Sequence, residues 1–576
     1  MIRIKREIAL ALLLLPLWAS AQVEKRVEVT KDYTPRLAAA AKLAVTPDLT
    51  DTVKIRPDID YTVAPRSFDT NMAVHLFRPA TVTYWEFNRP TPFYLKLGAG
   101  YPLNSAADFR LATQNPSIGY ALLYVDHEGD YAKIRNDAGL KPRAWRMSNR
   151  IGAAAGRYIG RHLLEGSVYY DNRIFHRYAA ADPADELLAG SRILFGEAGL
   201  KVRIGDDFRD YRKVDFNVEA YGTFFHDNSE TLPPLEARQI DGGGSAFIGF
   251  RLGRHRILVR GGFDGAWGAG DLSRYSSYAI RAGLGYGFRT RTVTAEIGID
   301  YLRNRIAMPQ EKNDYDYLLP RLRLLFNAGR GVFTPFIEFD SELQGNSFRD
   351  LVHENPYVLT GLALKKSTVD YTLRFGAAGN LSNKFSYRLF VAMTWVENAR
   401  YWFGMNLPQG GPSAVNPLQF GVWQARRNTA TIGGELKWKL ARDLQMELTL
   451  RGYLHDFVAR IGGQKLGGGL PALESALKVR YDHQRFSLYG SARLVSTRHW
   501  SNLLLTADSG GAIGGCTFTT YKVPVTVDVR IGGDYHLSPR TTLFLEGRNL
   551  ANQRLFDWAN YPLPGIGFIA GVKLTF

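Results

Sequence analysis

A single cysteine, Cys516, stands in the 576 residues, so no disulfide can form within one copy and neither a four-cysteine nor a CxxC metal site is available. Beyond the first 22 residues no run of about 18 apolar residues occurs, which excludes helical membrane spans. Acidic residues are also short: 55 Asp and Glu face 72 Lys and Arg, a net charge of +17. Such an excess attracts polyanions. For an exported chain nucleic acid is a poor partner, while lipopolysaccharide phosphates or an anionic solute suit the compartment. Arg and Lys spread over loops and an aqueous lumen account for the excess equally well.

Export is read from the N-terminus. Arg3, Lys5 and Arg6 precede an apolar run from Ile8 to Trp18, and Ala19-Ser20-Ala21 has the small residues of a cleavage site. The run is far shorter than the roughly 20 residues that span a bilayer. Residues 1–21 are therefore expected to be a signal peptide, and no cysteine near the cleavage site would carry a lipid.

Aromatics and glycine are plentiful: 30 Tyr, 32 Phe, 10 Trp and 57 Gly. Mean hydropathy is only −0.19, so a membrane-embedded chain must carry its apolar residues in alternation. It does. In "VTVDVRIGGDYHLS" Val525, Val527, Val529 and Ile531 share one face, and Asp528, Arg530 and Asp534 the other. "LQMELTLRGYLH" sets Leu444, Met446, Leu448 and Leu450 against Glu447 and Arg451. The closing "GFIAGVKLTF" sets Phe568, Ala570, Val572, Leu574 and Phe576 on one face, the other carrying Ile569 and Lys573. Strands this long and numerous do not suit a soluble sandwich.

The connections alternate between tight ("GNLSNK", "LARDLQ", "LSPRTT") and long (128–145, 346–367, 400–426, 498–520). That pattern predicts an all-β fold, a transmembrane antiparallel β-barrel with short periplasmic turns and longer extracellular loops. Counting strands between 93–101 and 567–576 gives about 22, an even number. The domains expected are the signal peptide 1–21, an N-terminal periplasmic extension 22–90 and an outer-membrane barrel 91–576. The last strand would face lipid, pair with the first, and serve as the C-terminal signal for outer-membrane assembly.

From "PVTVDVRIGGDYHLSPRTTLFLEGRNLANQRLFDW" through "YPLPGIGFIAGVKLTF" the chain resembles the end of TonB-dependent receptor barrels, with Gly547 and Ala551 departing slightly from the usual residues. Signal ending and aromatic, loop-poor barrel resemble proteins of the Bacteroidota. The resemblance implies ligand binding and transport across the outer membrane, with TonB or a surface lipoprotein as partner. It also implies a plug domain much longer than residues 22–90, which are punctuated by Pro35, Pro47, Pro57 and Pro65. That extension reads as a tether. Within it Val27, Glu28, Val29 and Thr30 resemble a TonB box, a strand donated by β-addition; a plain edge strand or linker fits the same residues. The missing plug length leaves a second reading open, a non-transporting subunit of an outer-membrane assembly or secretion complex.

Lumen-facing charges are expected at Glu296, Asp300, Glu435, Lys437, Glu447, Arg451, Asp528, Arg530 and Asp534, a mixed wall suited to water or a polar polypeptide. Acid–histidine neighbours occur at Asp126-His127-Glu128, His226-Asp227 and His455-Asp456. Adjacent strand residues face opposite sides, so none is read as a dyad. No enzyme, metal site or cofactor is expected.

Overall fold

The computed structural model describes residues 92–576 apart from short stretches at 116–117, 138, 180–189, 207–212, 232–233, 310, 328–330, 407, 410–413, 416–418, 458–459, 462–463 and 508–512. The signal peptide, the 22–90 extension and Val27–Thr30 lie outside the described residues. Among those described, 24 strands share one sheet, of which 22 close an antiparallel barrel. The other two form a hairpin, Arg498–Ala507 with Ile513–Val523, attached by parallel pairing to the strand Phe385–Asn406.

Closure joins the first strand, Phe93–Tyr101, to the last, Gly567–Thr575, with Leu97 opposite Val572. Closure leaves the 22-strand wall itself without a free edge. Backbone bonds between Phe93 and Phe576, at 3.0 and 3.2 Å, continue the seam beyond the strand ends. Both Phe568 and Phe576 are about half exposed, while Ile569 between them is buried against the inner face. The seam is unusually tight. A Cβ on Gly571 would lie 1.8 Å from the backbone oxygen of Leu97, which cannot rotate away. Gly571→Ala is therefore expected to lower stability by about 1–3 kcal/mol through overpacking, read as an earlier loss of the compact, heat-modifiable band on gels.

Within the wall the strands alternate between two environments. Ile280, Leu284, Tyr286, Ile297 and Ile299 are exposed on the outer face, whereas Asp300 on the inner face has no exposed surface. That is the pattern of a lipid-facing barrel around a polar interior. The long connections all lie at the rim opposite the chain ends of the barrel, which they share with a few tight turns such as the one between Tyr101 and Asn104.

Two expectations are corrected at the long-loop rim, and a third connection, 346–367, stands as expected. Segment 498–520 is not a loop: most of it is the outer hairpin, with Cys516 in its second strand. Much of 400–426 is likewise strand, because Phe385–Asn406 and Gln419–Lys439 run beyond the barrel wall as a paired ribbon. Segment 346–367 contains a helix, α1 (Phe348–Glu354), and its apolar part, 356–366, is loop. Above the lipid, strands need not alternate, so the dyad pattern that marks the wall gives no guidance there.

Candidate functional site: the loop-closed mouth

The long connections fold inward and build one apolar core. It gathers Ala132 and Ile134, Tyr178, Leu272 and Tyr275, Phe348, Leu351 and Val352 of α1, Tyr357 and Val358, Phe420, Trp500, and Phe556 and Tyr561. At its centre Tyr357 stacks on Tyr561 with ring centroids 3.7 Å apart, and Tyr178 meets Tyr561 edge-on at 5.0 Å. The Tyr178 hydroxyl donates to the Pro562 carbonyl at 2.8 Å. These three tyrosines leave the wall after the fifth, thirteenth and twenty-first barrel strands, about a third of the circumference apart. Side chains that start so far apart and touch must bridge the mouth. A second aromatic group adjoins them, with Trp558 5.2–5.4 Å from Trp402, Phe420 and Trp500.

Burial makes ionisation of these phenols costly. Tyr357 is pushed up to about 12, and Tyr178 and Tyr561 also lie well above the ordinary tyrosine value, each chiefly through desolvation.

Helix α1 is the strap beneath this core. Ser347 caps it and Asp350 returns the bond to the Ser347 backbone, a capping box that fixes where the helix begins. One face buries Phe348, Leu351 and Val352; the other presents Arg349 and His353 to the wall. There Glu197, 2% exposed, accepts from Arg349 Nη2 at 2.8 Å and Nε at 3.0 Å, from Tyr169 at 2.6 Å, and pairs with His353 Nε2 at 2.6 Å. Gln239 completes the cradle: its amide nitrogen donates to Asp241 and Ser347, and its oxygen accepts the Arg349 backbone N–H at 3.1 Å. A buried carboxylate with four polar contacts is stable only while all its partners stay in place. The cluster therefore latches the strap to the wall.

The charges expected in the lumen are mostly paired. Asp300 accepts from Arg260 at 2.6 Å and Arg321 at 2.9 Å. Asp534 takes Lys573 at 2.6 Å and Asp528 takes Arg530 at 2.9 Å. Looser pairs join Glu435 to Arg451 at 3.5 Å and Lys437 to Glu447 at 3.6 Å. Glu296 is exposed and lies opposite Arg323 in register. These residues present both signs to the lumen.

The acid–histidine neighbours are split across the two faces. Asp126 pairs inward with Arg110 while His127 faces outward; Asp227 is buried with Ser229 while His226 lies beside outward-facing Phe224. His455 contacts Thr429 and the Pro471 carbonyl. Among the described residues no cluster of three His, Cys, Asp or Glu side chains suits a metal.

Glu197, Arg349, His353, Tyr357 and Tyr561 were not singled out from sequence. "NSFRDLVHEN" does contain the signal for α1, with Ser347 and Asp350 at capping-box spacing and Phe348, Leu351 and Val352 at helical spacing. Nothing local marks Glu197 as its partner, about 150 residues earlier.

No family model and no curated protein matches the chain. Solved structures do. The copper transporter OprC superposes with a TM-score of 0.61 over 84% of this chain and 80% of its own, at 14% identity. The FrpB iron transporter from Neisseria meningitidis gives 0.63 over 84% and 81%, at 11% identity. The siderophore receptor PiuA from Acinetobacter baumannii gives 0.58 over 84% and 82%, at 10% identity. The fold is thus shared with outer-membrane transporter and receptor barrels.

Proposed function

We propose that this protein is an outer-membrane receptor barrel that binds a ligand at its long-loop end and passes it across the membrane. The observation that carries this reading is the closed 22-strand barrel, shared with transporters and receptors over most of both chains. On this reading the short turns face the periplasm, the loop core faces outward, and the α1 strap must leave the mouth for cargo to enter. Energy would come through the 22–90 extension, with Val27–Thr30 donated to TonB. A surface lipoprotein is a fitting partner for the loop surface, and lipopolysaccharide surrounds the outer rim.

One observation favours the second reading, a non-transporting subunit of an assembly or secretion complex. An apolar core bridged from three sides is a costly gate but a good platform. The test is to tag the full-length protein on an outer loop, extract it in mild detergent and identify what stays bound. TonB components with a surface lipoprotein, lost when Val27 and Val29 are both changed to Pro, support the receptor. Assembly or secretion factors that survive those changes support the platform.

A further inference from the structure

The outer face of the barrel carries a side-chain arrangement that neither reading uses. Ser105, His127 and Asn149 lie on three neighbouring strands, Asn104–Asn115, Gly119–Asp130 and Arg146–Ile159, whose registers set His127 opposite Asn149 and Ser105 opposite Gly129. All three alternate with inward residues, among them Asp126 and Arg110, and share the outer face with exposed Leu111, Leu123 and Ile151. His127 Nε2 is 2.8 Å from Ser105 Oγ, and His127 Nδ1 is 2.6 Å from Asn149 Oδ1. With the Asn149 oxygen accepting, Nδ1 carries the proton and the Nε2 lone pair points at the serine hydroxyl. Hydrogen-bond geometry assigns this tautomer and amide orientation. A nucleophile, a base and a group that orients the base are thereby placed in order.

Depth and surroundings say what could reach them. The three residues sit near the long-loop ends of their strands, above the apolar row Phe109, Val125 and Ile151. A transmembrane barrel exposes an apolar band about 25 Å tall, so this is the level at which acyl chains meet their headgroups. All three side chains are partly exposed. Tyr131 adds a second hydroxyl beside the serine: it accepts from Ser105 Oγ at 3.5 Å and donates only to the weak acceptor Met147 Sδ, at 3.6 Å, so its proton is easily redirected.

We propose that Ser105, His127 and Asn149 form a lipid-facing esterase centre acting on acyl esters of amphiphiles in the surrounding leaflet. His127 Nε2 takes the Ser105 proton as Oγ bonds to the ester carbonyl carbon. The Tyr131 hydroxyl donates to the oxyanion that forms. The intermediate collapses by breaking the bond to the alcohol oxygen, which leaves with the proton from His127. Water then repeats the sequence on the acyl-serine, giving the free acid and restoring the hydroxyl. Ester and water become alcohol and acid, with no oxidant or cofactor. Ser105 and His127 are catalytic residues; Asn149 is a positioning residue.

The test uses full-length protein folded in detergent, each variant checked by its heat-modifiable band. It is incubated with a fluorophosphonate probe, and separately with vesicles of dioleoyl phosphatidylethanolamine and phosphatidylglycerol while released oleate is measured. The wild type should be labelled at Ser105 and release oleate. Ser105→Ala should abolish labelling and lower release by about a thousandfold or more. Asn149→Ala should lower kcat by about a hundredfold with KM little changed, and Asn149→Asp should restore most of it. The proposal is overturned if the folded wild type takes no probe at Ser105, or if its oleate release equals that of Ser105→Ala. Transport and partner capture are read independently, so either proposal can fail alone.

Discussion

Truncating Tyr561 to Ala is expected to unfold the loop core while the barrel stays closed. Tyr561 is 1% exposed and contacts both Tyr357 and Tyr178, the two rings that come from the other sides of the mouth. Deleting a buried aromatic ring costs about 3–5 kcal/mol. The wall strands, held by continuous ladders, do not depend on it. The loss should fall on the connections alone, as a local unfolding of one cooperative unit. Hydrogen exchange should accelerate throughout 345–367 and 549–566 with barrel amides unchanged, and proteases should cut these loops in intact vesicles. Equal acceleration in the barrel strands would mean that the core is not a separate unit. The wild type should show the same opening with alkali. A phenol whose folded value is raised contributes fully below the unfolded value of 10, and that contribution disappears as pH climbs towards about 12 for Tyr357. Loop exchange should therefore accelerate across that window in the wild type.

The second large effect belongs to the latch. Glu197→Gln keeps the shape but removes the charge that faces Arg349 and His353, leaving the half-buried Arg349 guanidinium only its longer contact to Asp241, at 3.5 Å. Breaking a fully buried pair costs about 3–5 kcal/mol, and the Asp241 contact offsets part of that here. α1 should detach before the rest of the core, giving fast exchange at 347–355 first. Arg349→Ala should do the same. Because the two act through one interaction, a double-mutant cycle should show a coupling of about 2 kcal/mol or more. Full additivity would show that Glu197 and Arg349 stabilise the strap separately.

The wall could be read from the sequence because lipid and lumen impose a strict two-residue period on it. Arg146–Ile159, His162–Arg177 and Ser276–Arg289 begin and end where alternation predicts. Above the lipid that constraint ends, and with it the signal. The outer hairpin around Cys516 reads as Gly-rich loop, and the apolar stretch 356–366 reads equally as strand or loop until its partners from other connections are known. Chemistry suffers from the same gap. His127 stands between two acids in the sequence, yet its partners are Ser105 and Asn149, each 22 residues away and visible only once strand register is known.

Three connections meeting at Tyr178, Tyr357 and Tyr561 act on the barrel as spokes act on a rim. A cylinder braced across one open end resists being squeezed into an oval there, whereas the unbraced end remains free to deform. Bracing at the mouth leaves the opposite rim, where Phe93 begins the first strand, the easier end to deform. A force applied through the N-terminal segment meets the compliant end of the cylinder first, and reaches the braced end only along the strands themselves.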